Sequence, residues 1–403
     1  MSSRRRRRPR SPAAAPPLLD DNLLSEILLR LPPDPSSLPR ASLVSKRWLG
    51  LVSDPGFSRR FRLHHHHNPP LLGFFESSHF QPTMDAPNRV PEGRFSYEHT
   101  DEDGYGCFIP FGCRHGLQLT FHQSGKQLHV RDPFNGDKHR LPVPPGFDGW
   151  ETAISGAVFR AAGDIQHYQV VLVGTERNNQ WHTRVIARVY SSETGIWGNL
   201  MSTPLPTKAL SSMDGRPTKI RMWFTISVLV GHSLYWLLTD TSADTNKLDG
   251  ILEFDLERQI LDVIPVPMDI ANNSIGRLQV MRAEGGGLGI FVLSKFSAQL
   301  WKMETYSDGV ASWVLGRTVE LDKLLSLNPE EKKSLTIGGF AEYNNVVFLR
   351  TPTDFFTIQL ESLQFKKVSK SNNLTRYDPF ESVYVAGTGI DGGPDGAEFL
   401  HNM

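Results

Sequence analysis

The stretch that decides the fold covers residues 19–52, LDDNLLSEILLRLPPDPSSLPRASLVSKRWLGLV. Five apolar residues in its first half follow the spacing of a single stripe on an α-helix: Leu23, Leu24, Ile27, Leu28 and Leu31. The polar Asp-Asp-Asn run before them supplies capping oxygens, and the proline pair after them cannot continue a helix. The pattern therefore predicts a first amphipathic helix.

Two further helices are predicted downstream. Ser36 or Ser37 supplies a capping hydroxyl for a second helix, whose apolar positions are Leu38, Ala41, Leu43, Val44, Trp48 and Leu51. Asp54 followed by Pro55 is typical of the start of a third, which should end near His64. Such a small bundle has more apolar side chains than it can bury. The excess indicates a surface covered by a partner, and a small helical cap on a main domain is the alternative.

This stretch resembles the F-box family, whose pattern opens with Leu-Pro-Asp-Asp, continues with Leu-Leu and Glu-Ile-Leu, and closes with Val-Ser/Cys-Lys-Arg/Trp-Trp. The matching residues are Leu19, Asp21, Leu23, Leu24, Glu26, Ile27, Leu28, Leu31, Pro32, Leu43, Val44, Ser45, Lys46, Arg47 and Trp48. Asp20 stands where proline is usual, and Asn22 stands where the second aspartate is usual. Both departures lie at the start of the first helix and leave the apolar stripe intact.

The resemblance implies a substrate receptor of an SCF-type cullin-RING ubiquitin ligase. The F-box would bind a Skp-family adaptor, which connects the receptor to the cullin and the RING subunit, while the rest of the chain captures a target protein. Catalysis would belong to the RING subunit and its E2, so this chain is expected to be non-catalytic. The expected adaptor-binding residues are Leu19, Leu23, Leu24, Ile27, Leu28, Leu31, Pro32, Leu43, Val44, Lys46 and Trp48. A charge at Ile27 or Leu28 is expected to abolish adaptor binding.

Composition argues against several other classes of protein. Lys+Arg and Asp+Glu balance at 43 each over 403 residues, which gives no overall bias toward nucleic acid or anionic membranes. Two cysteines, Cys107 and Cys113, are too few for a disulfide framework or a zinc site. The sequence shows no apolar run long enough to span a bilayer and no apolar core of a secretory signal. We therefore expect a location in the cytoplasm, the nucleus or both.

The chain is divided here into a disordered basic tail (1–17), the F-box (18–64), a linker (65–70), a large domain (71–390) and a disordered tail (391–403). The basic run at 4–8 is compatible with nuclear import, with nonspecific polyanion contact, or with a solvated tail. The histidine run at 64–67 is compatible with metal binding, but its position beside Pro69-Pro70 favours a low-complexity junction. We expect neither a metal nor a cofactor.

Beyond residue 71 the pattern is typical of an all-β domain. Short β-branched and aromatic runs alternate with Gly, Asn, Asp and Ser turns, and the units recur at intervals of roughly 50 to 65 residues. About 310 residues of short antiparallel strands are too many for one sandwich, and a closed ring protects the strand edges. We predict an α+β multidomain protein, a three-helix F-box followed by a β-propeller of about six blades. Residues 71–75 and 383–385 are the candidates for joining the first and last blades.

The residue pairs that recur in each unit indicate the type of propeller. Gly-His and Trp-Asp pairs do not recur, and the Gly-Gly pairs are isolated, which argues against WD and kelch repeats. The phrases VRDPFNGDKHRLPVPP and ARVYSSETGIW instead resemble the F-box-associated domains of large plant F-box families. The sequence lacks the Gly-x-Ser-x-Gly, His-Glu-x-x-His and phosphate-loop motifs. The glycine cluster at 285–289 is best explained as a hairpin connection.

The target-binding site is expected on loops at one face of the ring, because propellers present variable loops on a rigid scaffold. The candidate segments are residues 80–106, 175–183, 207–219 and 239–249. Most tryptophans fall inside strand patterns and are expected in blade cores, whereas Trp181, in the 175–183 segment, is the candidate for an exposed aromatic contact. The alternative function is a ligase-independent interaction scaffold or a glycan-binding propeller.

Overall fold

The computed structural model describes residues 20–76, 78–97, 108–147, 154–160, 164, 166–178, 181–205, 222–224, 226–240, 247–273, 275–305, 311–331, 334–368 and 377–385. They separate into two compact units. The first contains the described residues up to His67, Ala86–Asn88 and the described residues from Val383 onward, and the second contains Asn68–Asp85 and Arg89–Ser382. No helix in the described ranges is long and apolar enough to cross a membrane.

The first unit is helical. Its described helices are α1 (Asp21–Leu29), α2 (Ser37–Ser42), α3 (Lys46–Val52) and α4 (Pro55–His65). Asp20 caps α1 by accepting from the Asn22 N–H, and Asp54 caps α4 by accepting from the Phe57 N–H, as the sequence predicts. The expectation of one long second helix was wrong. The chain leaves the helix after Ser42, and Ser45 caps a new helix through the Trp48 N–H.

The second unit is a ring of six sheets, formed by the described strands. Blade 1 contains β1 (Leu71–Glu76), β2 (His79–Pro82) and β25 (Asp378–Glu381). Blade 2 contains β3 (Phe108–Arg114), β4 (Leu117–His122), β5 (Gln127–Arg131) and β6 (Lys138–Pro142). Blade 3 contains β7 (Ile154–Phe159), β8 (Gln169–Asn178), β9 (Trp181–Ser191), β10 (Ile196–Trp197) and β11 (Met201–Pro204).

The remaining three blades complete the ring. Blade 4 contains β12 (Met222–Phe224), β13 (Val228–Val230), β14 (Ser233–Asp240), β15 (Lys247–Asp255) and β16 (Ile260–Ile264). Two short helices follow it: α5 (Met268–Ala271) and a 3-10 turn at Ile275–Arg277. Blade 5 contains β17 (Leu278–Arg282), β18 (Leu288–Ser294), β19 (Ser297–Thr305) and β20 (Ala311–Glu320). After α6 (Leu321–Leu324), blade 6 contains β21 (Thr336–Ala341), β22 (Val346–Arg350), β23 (Phe355–Gln359) and β24 (Phe365–Val368).

The innermost strands close the ring. They contact one another in the order β25, β3, β7, β12, then β13, β17, β21 and back to β25. The predicted propeller and its six blades are therefore confirmed, and so is the hairpin at 285–289, which joins β17 to β18. The closing pair was only half right. β1 pairs with β25, at Asp378–Glu381, whereas residues 383–385 form no strand and belong to the helical unit.

Each blade is buried on both faces, which explains its continuous apolar runs. Along β8, Val170 and Leu172 pack into the layer shared with blade 2, and Val171 and Val173 pack into the layer shared with blade 4. Successive side chains of a strand point to opposite faces, so a central strand between two layers is apolar at every position. Trp236, which is fully buried, belongs to the layer between blades 3 and 4 and confirms the expected blade-core role for that tryptophan.

Blade 1 combines both ends of the ring's chain and is fixed by aromatic packing on its two faces. Phe74 contacts Phe348, Phe355 and Tyr377 at the blade 6 side. Its neighbour Phe75 turns the other way. It joins a second aromatic cluster, at the blade 2 side, whose other members are Phe80, Phe95, Phe134 and Phe380. Aromatic pairs at these separations add to ordinary area burial, so the composite blade is well fixed.

A repeated contact joins neighbouring blades at the rim. The Trp197 indole N–H of blade 3 donates to the Pro142 carbonyl at the end of blade 2, at 3.2 Å. The Trp313 indole N–H of blade 5 donates to the Pro265 carbonyl at the end of blade 4, at 3.1 Å. Both carbonyls belong to the same phrase, an aliphatic residue followed by Pro-Val-Pro. The junction between blades 2 and 3 and the junction between blades 4 and 5 are thus held by the same kind of hydrogen bond.

A buried ion pair crosses the centre of the ring. Arg114, the last residue of β3, donates through Nε and Nη2 to the two carboxylate oxygens of Glu342, at 2.6 and 2.8 Å. Arg114 Nη2 also donates to the Ser227 carbonyl, at 3.1 Å, and the Leu229 N–H donates to Glu342, at 2.8 Å. Both charged side chains are less than a tenth exposed. The pair therefore ties blades 2, 4 and 6, which are not neighbours.

Breaking this pair from one side is predicted to destabilise the ring strongly. Arg114→Met leaves the Glu342 carboxylate buried without its cation, which costs about 3–5 kcal/mol. The double variant Arg114→Met/Glu342→Leu removes both charges and should lose less than the single variant. Urea unfolding monitored by tryptophan fluorescence measures both.

Arg258→Met is the matched control, because the Arg258 side chain is 78% exposed and should leave the midpoint unchanged. If the double variant lost as much stability as Arg114→Met, the cost would come from packing rather than from an unpaired charge.

Candidate functional site

Helix α1 divides its apolar residues between two surfaces. Leu24 and Leu28 are fully buried, and they pack with Val52, Phe57 and others in the core of the helical unit. Leu23 and Ile27, one position earlier in each case, are 47% and 41% exposed. The sequence stripe is therefore wide enough to cover both a core face and an open face. Residues of the two faces cannot play the same part in binding.

Two more exposed apolar residues follow α2. Leu43 and Val44 are 60% and 62% exposed and lie immediately before α3. The Arg47 Nε of α3 donates to the Asp21 carboxylate of α1, at 2.7 Å, which brings the start of α3 to the start of α1. We call Leu23, Ile27, Leu43 and Val44 the apolar patch. Large aliphatic side chains left open on a bundle this small are typical of a protein-binding surface.

The start of α1 explains one of the two departures from the F-box pattern. Asp20, where proline is usual, accepts the Asn22 N–H at 2.8 Å and so serves as the N-cap. Its negative charge also lies at the positive end of the helix dipole. The substituted residue therefore stabilises the helix that carries half of the apolar patch.

The other expected adaptor-binding residues lie in several environments. Pro32 and Lys46 are exposed, Leu31 and Trp48 are half-buried against the helical core, and Leu19 lies outside the described residues. Leu24 and Leu28 are fully buried in the helical unit, so we expect them to support the adaptor-binding surface from within rather than to contact the adaptor. A charge at Leu28 would disrupt the bundle itself and therefore cannot test the interface.

Cross-helix contacts hold α1 against α4. Arg60 donates to the Ser25 hydroxyl at 3.2 Å and to the Glu26 carboxylate at 2.6 Å. The ring of His65, part of the histidine run, hydrogen-bonds through Nε2 to the Leu29 carbonyl at 2.9 Å. Burial lowers the His65 pKa, with the nearby His64 adding to the effect. Among the described residues no group of three or more metal-ligating side chains comes together.

The described strands that flank the candidate target-binding segments can be assigned to the faces of the ring. In a blade of four antiparallel strands the direction alternates from strand to strand, so the fourth strand ends on the face where the innermost strand begins. We call this the start face and the opposite side the end face. Strand β3, which follows the 80–106 segment, begins at the start face, and strands β8, β11 and β14 end there.

One of those segments differs from expectation, and all four lie partly or wholly outside the described residues. The 175–183 segment was expected as a loop, but β8 continues to Asn178 and β9 begins at Trp181, with Glu176 paired to Arg184. The Trp181 side chain is outside the described residues, as are residues 98–107, 206–221 and 241–246. The expected exposure of Trp181 therefore stays a prediction, and the three alternatives for residues 4–8, which also lie outside the described residues, stay open.

A polar cluster on the end face was missed by the sequence analysis. The Arg160 N–H donates to His115 Nδ1 at 2.8 Å, so Nδ1 is an acceptor and the neutral ring carries its proton on Nε2. That Nε2 lies 2.6 Å from the Tyr343 hydroxyl oxygen and donates to it. Burial raises the pKa of the Tyr343 phenol well above its usual range. These contacts join blades 2, 3 and 6.

Glu381, the last residue of β25, completes the cluster. Its carboxylate accepts from the Tyr343 N–H at 3.1 Å, the Asn344 N–H at 2.8 Å and the Asn344 side-chain amide at 2.7 Å. Burial raises the Glu381 pKa to about 7, and the nearby charge of Glu342 acts in the same direction. The available signal in the sequence was a charged residue at or just after the end of an innermost strand, at Arg114, Glu342 and Glu381.

Comparison with known proteins agrees with this architecture. Residues 111–384 match the family model "F-box protein AT5G49610-like, beta-propeller", and residues 17–60 match the F-box domain model. The chain is similar to F-box protein At5g07610 of Arabidopsis thaliana, at 23% identity over 90% of this chain and 88% of the relative. It is also similar to F-box protein At5g03970 of the same plant, at 22% identity over 86% and 82%.

Among solved structures, the chain is similar to the β-propeller domain of Cps50 (Swd1) from Myceliophteria thermophila. It shares 10% identity, covers 64% of this chain and 71% of its own, and superposes with a TM-score of 0.32.

The buried carboxyl of Glu381 predicts a pH dependence of ring stability. Its pKa is raised in the fold from an ordinary value of 4.5 to about 7, so the fold favours the protonated form. The stability it contributes is present below about pH 4.5 and is lost as the pH rises through 7. Relative to Glu381→Gln, the wild type should lose about 3 kcal/mol across that window.

Denaturant midpoints of both proteins between pH 4.5 and 8 measure the effect. The glutamine carries a constant offset, because its amide nitrogen cannot accept from both sets of donors, so the slope is the observable. Parallel stability curves would show that Glu381 is ionised in the fold at every pH tested.

Proposed function

The chain belongs to the F-box protein AT5G49610-like β-propeller family, and we propose that it is the substrate-recognition subunit of an SCF-type cullin-RING ubiquitin ligase. The apolar patch binds a Skp-family adaptor, and the start face of the ring captures the target protein. The chain contributes no catalytic group of its own. It raises the local concentration of target lysines near the charged E2 that the RING subunit recruits.

The observation that carries the adaptor assignment is the exposure of the apolar patch on a unit that has a complete core without it. Leu24 and Leu28 already fill that core, so stability does not require Leu23 and Ile27 to be large and aliphatic. Covering the patch with a partner removes apolar surface from water, which is worth about 25 cal/mol per Å². A groove or helical surface on the adaptor is the matching geometry.

The ring assignment is supported by how the scaffold is held. The buried ion pair and the hydrogen-bonded cluster lie at the end-face side of the ring, where they join blades to one another. The connections that follow strands β8, β11 and β14 do not take part in those contacts, and rigid scaffolds commonly bind partners through such connecting segments.

Substitutions on the two faces of α1 test the adaptor assignment. Ile27→Asp places an unpaired carboxylate in the proposed interface, so affinity for a purified Skp-family adaptor should fall at least about 100-fold. Val44→Asp should act in the same way. Isothermal titration with the full-length protein measures affinity, and far-UV circular dichroism verifies that the variants keep their helices.

Ile196→Asp is the matched control, since Ile196 is 65% exposed on blade 3 and should leave adaptor affinity unchanged. A folded Ile27→Asp variant with wild-type affinity would remove the patch as the adaptor site. If the wild type bound neither adaptor nor cullin, the ligase-independent scaffold or glycan-binding propeller would become the better account.

A further inference from the structure

The helical unit that carries the apolar patch includes a residue from the far end of the chain. Val383 is 5% exposed and packs in the same core as Leu24, Leu28, Phe57 and Phe61. Val385, half-buried, packs against that core as well. The F-box model that matches this chain spans residues 17–60 and contains neither valine. The core beneath α1 is therefore not made by the F-box sequence alone.

A second distant residue anchors the helix that precedes Leu43 and Val44. Asn88 Oδ1 accepts from the Ser36 N–H at 3.2 Å and from the Ser36 hydroxyl at 2.6 Å. Ser36 occupies the N-cap position of α2 and makes no side-chain bond to that helix, while its hydroxyl donates to Asn88. The start of α2 is thus held by a residue outside the F-box sequence.

Small size explains why such additions matter. Short helices totalling roughly 45 residues bury too little surface for secure stability, and units of this size usually need extra support. Val383 supplies a buried aliphatic side chain to the core that also contains Leu24 and Leu28 of α1. Removing it would leave a cavity in the core to which Leu24 and Leu28 belong, and the packing of that core supports the helix that presents Leu23 and Ile27.

We propose that Val383, with support from Asn88 and Val385, is a positioning residue of the adaptor site, so that only a chain whose C-terminal segment is seated in the helical unit presents a competent patch. This inference rests on the proposed adaptor function. Val383 follows Ser382 and strand β25 directly, so the residue becomes available only after the last strand of the ring has been made. A chain truncated before it would not be loaded onto the ligase.

Linkage gives the proposal a second consequence. If seating of the C-terminal segment favours adaptor binding, adaptor binding must favour seating of the segment by the same factor. Addition of adaptor should therefore slow amide hydrogen exchange at residues 383–385 in the wild type. The same addition should have no such effect in Ile27→Asp, which has an intact core and no functional patch.

Full-length variants test the proposal without fragments. Val383→Ala should speed amide exchange in α1 at least about tenfold, because a buried aliphatic group is lost. Val383→Asp should weaken adaptor binding at least about tenfold, because fewer molecules hold the C-terminal segment in the helical core. Val383→Ile keeps a buried aliphatic side chain, so amide exchange in α1 and adaptor affinity should both stay at the wild-type level. Val230→Ala is the matched control, since Val230 is 6% exposed in the ring and should change neither.

The outcomes separate this inference from the function on which it rests. Wild-type exchange in α1 of Val383→Ala, together with wild-type affinity in Val383→Asp, would overturn the positioning role. A wild type that binds no adaptor would overturn the proposed function, while the exchange arm would still decide whether Val383 supports α1. If Val383→Asp also lost the unfolding transition of the ring, Val383→Ala and Val383→Ile would decide the matter by exchange.

Discussion

The ion pair between Arg114 and Glu342 is the directional contact that joins blades 2, 4 and 6 at the centre of the ring. Apolar layers between blades are non-directional, and packing of that kind alone does not fix how six similar sheets meet at their centre. The bidentate contact has a defined geometry. Each partner also bonds to the backbone of blade 4: Arg114 donates to the Ser227 carbonyl, and Glu342 accepts from the Leu229 N–H. Burial alone would lower the Arg114 pKa, but the charge and hydrogen bonds of Glu342 outweigh it and raise that pKa.

The helical unit shows a different constraint, in which one short helix serves two surfaces. Leu24 and Leu28 stabilise the bundle, whereas Leu23 and Ile27 remain open to a partner. The two sets alternate along the nine residues of α1, so a shift of one residue would exchange buried and exposed positions. The start of α1 and its rotation about its own axis must therefore both be fixed. The Asp20 cap and the Arg47–Asp21 contact meet the first need, and the contacts from Arg60 meet the second.

Much of the architecture could be predicted from the sequence, because it follows from local patterns. The apolar stripe and the Asp54-Pro55 start predicted α1 and α4, and recurring short strands predicted the propeller. Local patterns also misled. The break between α2 and α3 depends on Ser45, whose capping role competes with the helical periodicity around it. The polar content of residues 175–178 suggested a loop, although ladder pairing carries β8 through them.

Pairings between distant residues lay beyond single-sequence reasoning. Arg114 and Glu342 are 228 positions apart, and nothing local marks them as partners. The β-branched and aromatic residues at 383–385 favoured a closing strand. The closing strand is instead β25, just before them, and Val383 packs in the helical core. In the candidate site, residue types identified the patch as a set, but only burial could divide Leu23 and Ile27 from Leu24 and Leu28.

The most direct test of this account is site-specific photo-crosslinking along α1 in the presence of a purified Skp-family adaptor. A photoreactive side chain would replace Leu23, Ile27 or Val44 in the patch, and Leu28 in the core or Ile196 in the ring for comparison. The account predicts adaptor crosslinks from the three patch positions and none from the two comparison positions. Crosslinks from Ile196, or none from Ile27 and Val44 in a complex that still forms, would contradict it.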